Sequence, residues 1–203
     1  MAKLKTLGVT SGAGGVGKTL IATNLALGVL QQVRGGVLFL DASYPCPGDG
    51  CARMGVPRAK SIADLVPLLD RLTPEFLGTY LMSAPCGVPC LSLVSDVVQA
   101  SALTRRVLEQ VFKVIDAAFD YLIVDLGVTS GDVASFLLDR IDQMCVVVEP
   151  TPTGVARASH FLGLLRAAQF PASATVLCLN RVHERSSLGG VPQLGLKIGR
   201  AHV

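Results

Sequence analysis

Charge is scarce in this chain of 203 residues: Asp, Glu, Lys and Arg make up 16%, while half of the residues are hydrophobic. Long apolar runs are missing too. No stretch approaches 18 uninterrupted apolar residues, so no segment has the length to cross a bilayer as a helix. The opening Met1-Ala2-Lys3-Leu4-Lys5 carries no apolar signal core, which predicts a cytoplasmic protein. The net charge of +3 comes without any basic run, so the charge pattern does not call for nucleic acid. The six cysteines, Cys46, Cys51, Cys86, Cys90, Cys145 and Cys178, show neither paired C-x-x-C spacing nor histidines at ligand spacing, which argues against zinc. Cys145 and Cys178 lie in apolar runs, where a thiol acts as a small hydrophobe. Cys46 with Cys51, or Cys86 with Cys90, keeps the spacing of a two-thiol metal chelate as an alternative.

The mean hydropathy of +0.53 is high for a solvated surface. Parallel strands covered on both faces are apolar throughout and explain it. Hydrophobic runs at 4–10, 37–41, 89–94, 121–125, 144–149 and 174–180 alternate with helical segments. That order predicts an α/β fold in three layers, a mostly parallel sheet of about six strands with helices on both faces. Ser61-Ile62-Ala63-Asp64 has the spacing of a capping box and opens a helix to Leu69, and Thr73-Pro74-Glu75 opens the next. In 104–118, Val107, Leu108, Val111, Val114 and Ile115 form the apolar stripe of a helix packed on the sheet, and 153–168 reads the same way.

Against this frame stands one dense motif. Ser11-Gly12-Ala13-Gly14-Gly15-Val16-Gly17-Lys18-Thr19 matches G-x-x-x-x-G-K-[ST] at every fixed position, between a strand and a helix. A triphosphate needs many backbone N–H donors at close range, and four glycines in the six residues from Gly12 to Gly17 clear the approach. In that chemistry Lys18 places its ammonium on the β and γ phosphates and Thr19 offers its hydroxyl to Mg²⁺. The N–H groups from Gly14 to Thr19 wrap the β phosphate. Tyr121-Leu122-Ile123-Val124-Asp125 ends four hydrophobic residues on an acid, the Walker B pattern, and Asp125 is the second candidate for the metal. Asp41 closes the run 37–41 at the same sheet edge.

These motifs, with Asn24-Leu25-Ala26 in the first helix and Leu177-Cys178-Leu179-Asn180-Arg181 at the last strand, resemble the ParA/MinD superfamily of P-loop ATPases over nearly the whole chain. The resemblance implies ATP and Mg²⁺ as ligands, an ATP-dependent homodimer with the nucleotide between protomers, and contact of the Asn180-Arg181 pair with the base, Asn180 meeting adenine. A narrower resemblance, carried by 119–125, Leu138-Asp139-Arg140-Ile141-Asp142, 146–151 and the segment 61–93, is to the CpaE/TadZ branch, which localises and assembles type IV (tight-adherence) pili. It implies pilus-assembly or secretion partners, and polar or membrane association through them. Three positions depart from the family. Ala13 stands where the family has a signature lysine, Asp41-Ala42-Ser43 replaces Asp-x-Asp, and Leu126-Gly127-Val128 replaces a proline-containing loop. Asp41 remains as the acid for hydrolysis. Losing a cation that crosses to the partner's phosphates costs about 10³ in rate, by analogy with arginine fingers, so the expectation is binding with weak hydrolysis. A bacterial tyrosine-kinase-like enzyme is an alternative, opposed by the dispersed Tyr44, Tyr80 and Tyr121. A ParA-type partitioning ATPase is another, opposed by Ala13. Ile198-Gly199-Arg200-Ala201-His202-Val203 resembles a translated sequencing adapter and reads as a non-native tail, so the expectation is one domain over 1–197, cut short at its C-terminus.

Overall fold

Eight strands form one sheet: β1 (Lys5–Thr10), β2 (Val37–Asp41), β3 (Lys60–Ser61), β4 (Met82–Ser83), β5 (Pro89–Ser92), β6 (Tyr121–Asp125), β7 (Gln143–Val148) and β8 (Thr175–Leu179). Their order is β3-β5-β2-β6-β1-β7-β8, all parallel, with β4 antiparallel on β5. The computed structural model describes residues 4–127 and 129–182. Val128 and the expected boundary at 197 with its tail at 198–203 lie outside them.

All six expected strands are present in an α/β sandwich. β3 and β4 are additions of two residues each, too short for any alternation to register. The helices are α1 (Lys18–Gln32), α2 (Gly50–Arg53), α3 (Ile62–Leu65), α4 (Pro74–Tyr80), α5 (Arg105–Ala118), α6 (Gly131–Leu138) and α7 (Pro152–Ala167). Side chains start most of them where the sequence indicates. Ser61 and Asp64 exchange both capping-box bonds, at 3.1 and 2.9 Å. The hydroxyls of Thr73 and Thr104 accept from Phe76 and Val107. The capping box opens only a single turn, which tightens into a 3-10 helix over Val66–Arg71. The last helix starts earlier than the expected 153, because Thr151 is its cap and Pro152 its first residue. α2 and α6 were not legible. One is a single turn, and the other opens on Gly131 at φ 66°, a residue that weakens the helical signal.

Alternation across the central strands feeds two cores. Leu38 and Leu40 of β2 with Leu122 and Val124 of β6 meet Val107, Val111, Phe112 and Ile115 of α5. On the other face, Val9, Val37, Phe39 and Ile123 meet Ala22 and Ala26 of α1. Phe112 joins the α5 stripe as a fully buried ring, edge-on to Phe136 at 5.1 Å between centroids, while Val114 is only partly covered. A third cluster lies under α7, where Met144, Val146 and Val148 pack on Ala158, Leu165 and Phe170. The parallel strands bring the C-terminal ends of β1, β2, β6 and β7 to one edge. Among the described residues no helix is long and apolar enough to cross a membrane.

Candidate functional site

β1 delivers the chain to this edge at Thr10, and α1 takes it up again at Lys18. Between them the loop is shaped by glycine. Gly15 and Gly17 hold φ of 74° and 99°, a region that L side chains rarely adopt. A Cβ on Gly12 would stand 2.4 Å from the Arg157 carbonyl oxygen of α7, so this residue seats the loop against the helix. At Gly14 and Gly15 a Cβ would meet nothing within 4 Å, which leaves the outer side of the loop open to an approaching group. The Ser11 hydroxyl donates to the Ala13 carbonyl, a turn contact that sequence reasoning did not identify. Lys18 Nζ folds back over the loop to the same carbonyl at 3.3 Å.

The opposite wall is β8. Asn180 Nδ2 donates to the Val16 carbonyl at 2.8 Å, and a Cβ on Gly17 would stand 2.3 Å from that nitrogen. Val16 itself is buried. Asn180 therefore clasps the loop, while Arg181, at φ 59°, turns the other way and sets Nη1 3.5 Å from Glu149 Oε1.

Two acids close the third side. Asp41 and Asp125 end β2 and β6 as in-register neighbours, 2% and 1% exposed. Asp41 is fully committed. Its Oδ1 accepts from the Ser43 N–H at 3.2 Å and its Oδ2 from the Gly50 N–H at 2.8 Å. Asp125 differs, because its buried Oδ1 takes no hydrogen bond from the described residues. Burial lifts its carboxyl to a pKa of about 6, Asp41 and Asp49 push the same way, and the Thr19 hydroxyl and Lys18 pull it down. An orphaned carboxylate oxygen beside the hydroxyl that follows the loop lysine is the donor set that suits Mg²⁺. The residues present thus fit the metal, through Thr19 and Asp125.

Ser43, where the resemblance puts a second acid, lies over this edge. A Cβ on Gly127 would fall 2.2 Å from its Oγ and one on Gly48 2.4 Å from it. Beyond Gly48, Asp49 and Arg53 pair at 2.7 Å on the rim, and the sequence had not drawn attention to either. Their i,i+4 spacing directly after Pro47-Gly48 was the available signal. The two-thiol alternatives do not converge. Cys51 and Cys90 are buried and lie side by side, whereas Cys46 and Cys86 are exposed, so each expected pair is split between the core and the surface.

The comparisons bear on the family and the fold. The ParA family model, described as "NUBPL iron-transfer P-loop NTPase", matches residues 3–180. The chain belongs to the ParA family of P-loop NTPases. This ParA-family chain is 29% identical over 168 residues to the antiactivator FleN of Pseudomonas aeruginosa, covering 81% of the chain and 58% of FleN. It is 28% identical over 166 residues to the flagellum site-determining protein YlxH of Helicobacter pylori, covering 76% of the chain and 51% of YlxH. The chain thus spans between half and three-fifths of the length of these relatives. Among solved structures, a ParA family ATPase from Chlorobium tepidum TLS superposes with a TM-score of 0.76 at 26% identity, over 87% of this chain and 74% of that one.

Proposed function

We propose that this ParA-family chain binds Mg-ATP in the loop between β1 and α1, turns it over slowly, and uses the bound state to govern a second copy of itself and the placement of a cell-surface appendage. The observation that carries the nucleotide reading is the unpartnered, buried Asp125 Oδ1 beside Thr19 and Lys18. Mg²⁺ held there would offset the negative charge of the phosphates. The chain's own groups do the rest. Gly14 to Thr19 donate backbone N–H groups, Lys18 leaves the Ala13 carbonyl for the phosphates, and Thr19 and Asp125 hold the metal. Asn180 and Arg181 flank the base. Asp41, with both oxygens committed to N–H groups, positions the 43–50 loop over the γ phosphate.

The appendage reading rests on relatives, and it shifts the expectation drawn from sequence. The likeness to CpaE/TadZ points to pili, whereas one curated relative is named as a flagellum site-determining protein and the other as an antiactivator. A flagellar role is therefore favoured over a pilus one. The kinase alternative draws no support from the tyrosines: Tyr44 bonds the Ala100 carbonyl, Tyr80 stacks with Phe76, and Tyr121 lies in β6. A partitioning ATPase remains compatible with the family, and DNA retention assays separate it from an appendage factor.

Calorimetry with Mg-ATP is the direct test. Lys18→Ala is expected to lose about 100-fold in affinity, the worth of charge-assisted bonds to phosphate. Unchanged affinity in the variant overturns the site.

A further inference from the structure

Ala13 leaves the segment from Ser11 to Thr19 with a single side-chain cation, Lys18. The four-residue helix α2, which follows β2, carries another, Arg53. Gly48 and Gly50 press on the Asp41 carboxylate from either side of Asp49: a Cβ on Gly48 would stand 2.4 Å from Oδ1, and the Gly50 N–H donates to Oδ2 at 2.8 Å. Asp41 is in turn the in-register neighbour of Asp125. Asp49 therefore stands beside the two buried acids, at the first turn of α2. It occupies the cap position of that helix, yet its side chain makes no capping bond. The carboxylate instead takes Arg53 Nε and Nη2, both at 2.7 Å on Oδ2. Arg53 is the last residue of α2, so its side chain runs back one turn towards the helix start, the direction that helical side chains favour. The guanidinium is thus held on a carboxylate flanked by the two glycines that touch Asp41, and Asp49 holds its pKa up, with a smaller push from the charge of Asp125. Both side chains are more than half exposed, 57% for Arg53 and 61% for Asp49, so water screens the pair and it is easily broken.

We propose that Arg53 is an in-chain cation for the γ-phosphate of bound ATP, parked on Asp49 in the nucleotide-free protein and transferred to the terminal phosphate oxygens when Mg-ATP enters. The inference rests on the nucleotide reading above and adds to it the group that substitutes for the missing lysine. Arg53 forms no covalent bond. In hydrolysis the oxygen of water bonds the γ-phosphorus, the bond to the β–γ bridging oxygen breaks, ADP keeps that electron pair, and the protons of water pass to phosphate and solvent. The guanidinium offsets charge on the equatorial oxygens. A planar fork with five donors suits this, and Asp49 keeps it near the site.

Calorimetry with Mg²⁺ and either AMP-PNP or ADP tests the contact without turnover. Arg53→Ala is expected to lose about tenfold in AMP-PNP affinity with ADP affinity unchanged, since only AMP-PNP carries a γ-phosphate. Arg53→Lys recovers part of that loss. Asp49→Asn, which frees the guanidinium, does not lower AMP-PNP affinity. In single-turnover hydrolysis Arg53→Ala slows the reaction, and adding Ala13→Lys restores it. Equal losses for AMP-PNP and ADP make Arg53 a structural residue and overturn the proposal, as does an unchanged AMP-PNP affinity. Wild-type protein that binds neither nucleotide removes the site itself, an outcome distinct from all of these.

Discussion

The strand ends on the two sides of the P-loop are built in opposite ways. At β2 and β6 the chain stops on carboxylates that are almost wholly covered, one tied into the backbone and the other holding an oxygen with no hydrogen bond from the described residues. At β7 and β8 it stops on Glu149, Asn180 and Arg181, partly exposed and engaged in one amide contact and one solvent-screened ion pair. Burying an ionised acid without a partner is costly, so the first side is tuned for a cation that arrives later. The second side carries an amide bond and a screened ion pair, both exposed enough to adjust. It suits recognition of a flat, uncharged group such as a nucleobase, and its clasp on Val16 couples that recognition to the shape of the loop.

Gly17 is where the two sides meet, and its substitution should have the largest effect. Gly17→Ala puts a methyl 2.3 Å from Asn180 Nδ2 at φ 99°, so the loop and the clasp cannot both keep their places. Mg-ATP binding should fall below detection by calorimetry, and retained affinity would show that β8 yields freely.

Asp125→Asn sharpens the acidic side. It should weaken Mg-ATP by about tenfold while leaving metal-free ATP affinity unchanged, since the residue is argued to work through the metal. Equal losses with and without Mg²⁺ would return Asp125 to a structural part. The same variant has a stability signature in metal-free protein. The Asp125 carboxyl is raised to about 6, so the folded state binds its proton more tightly than the unfolded chain does. That contribution is full below about pH 4 and is lost as pH rises through 6. Above pH 7, Asn at this position should therefore be the more stable by up to about 3 kcal/mol, with the advantage vanishing near pH 4. Thermal melts across this range measure it.

The smallest effect belongs to the amide on the β8 side. Asn180→Ala removes the bond to Val16 and should cost about fivefold in ATP affinity, the worth of one neutral hydrogen bond. It should also narrow any preference for ATP over GTP. A variant with full affinity and unchanged base preference would confine Asn180 to holding the loop.

Local chemistry made much of this legible. The loop glycines, Lys18 and Thr19 declare themselves within nine residues, Thr73-Pro74-Glu75 announces α4, and the apolar stripe from Val107 to Ile115 announces α5. The apolar runs at 37–41 and 121–125 coincide with β2 and β6, because a strand buried on both faces is apolar at every position. Where the signal fell below one turn or one alternation, as in β3, β4 and α2, the neighbours decided the structure and the sequence stayed silent.

The amino-acid sequence by itself determined the order of the six longer strands, the phosphate loop and which residue types stand at the strand ends, since each depends on contacts within a few residues. Only the tertiary structure decided that Asp41 lies next to Asp125, that Asn180 reaches back 164 positions to Val16, and that Gly48 and Gly50 close on the Asp41 carboxylate. The reason is register. Which strands pair, and which faces they bury, is settled by the packing of α1, α5 and α7 on the sheet, and that packing sums many weak apolar contacts that no short stretch contains.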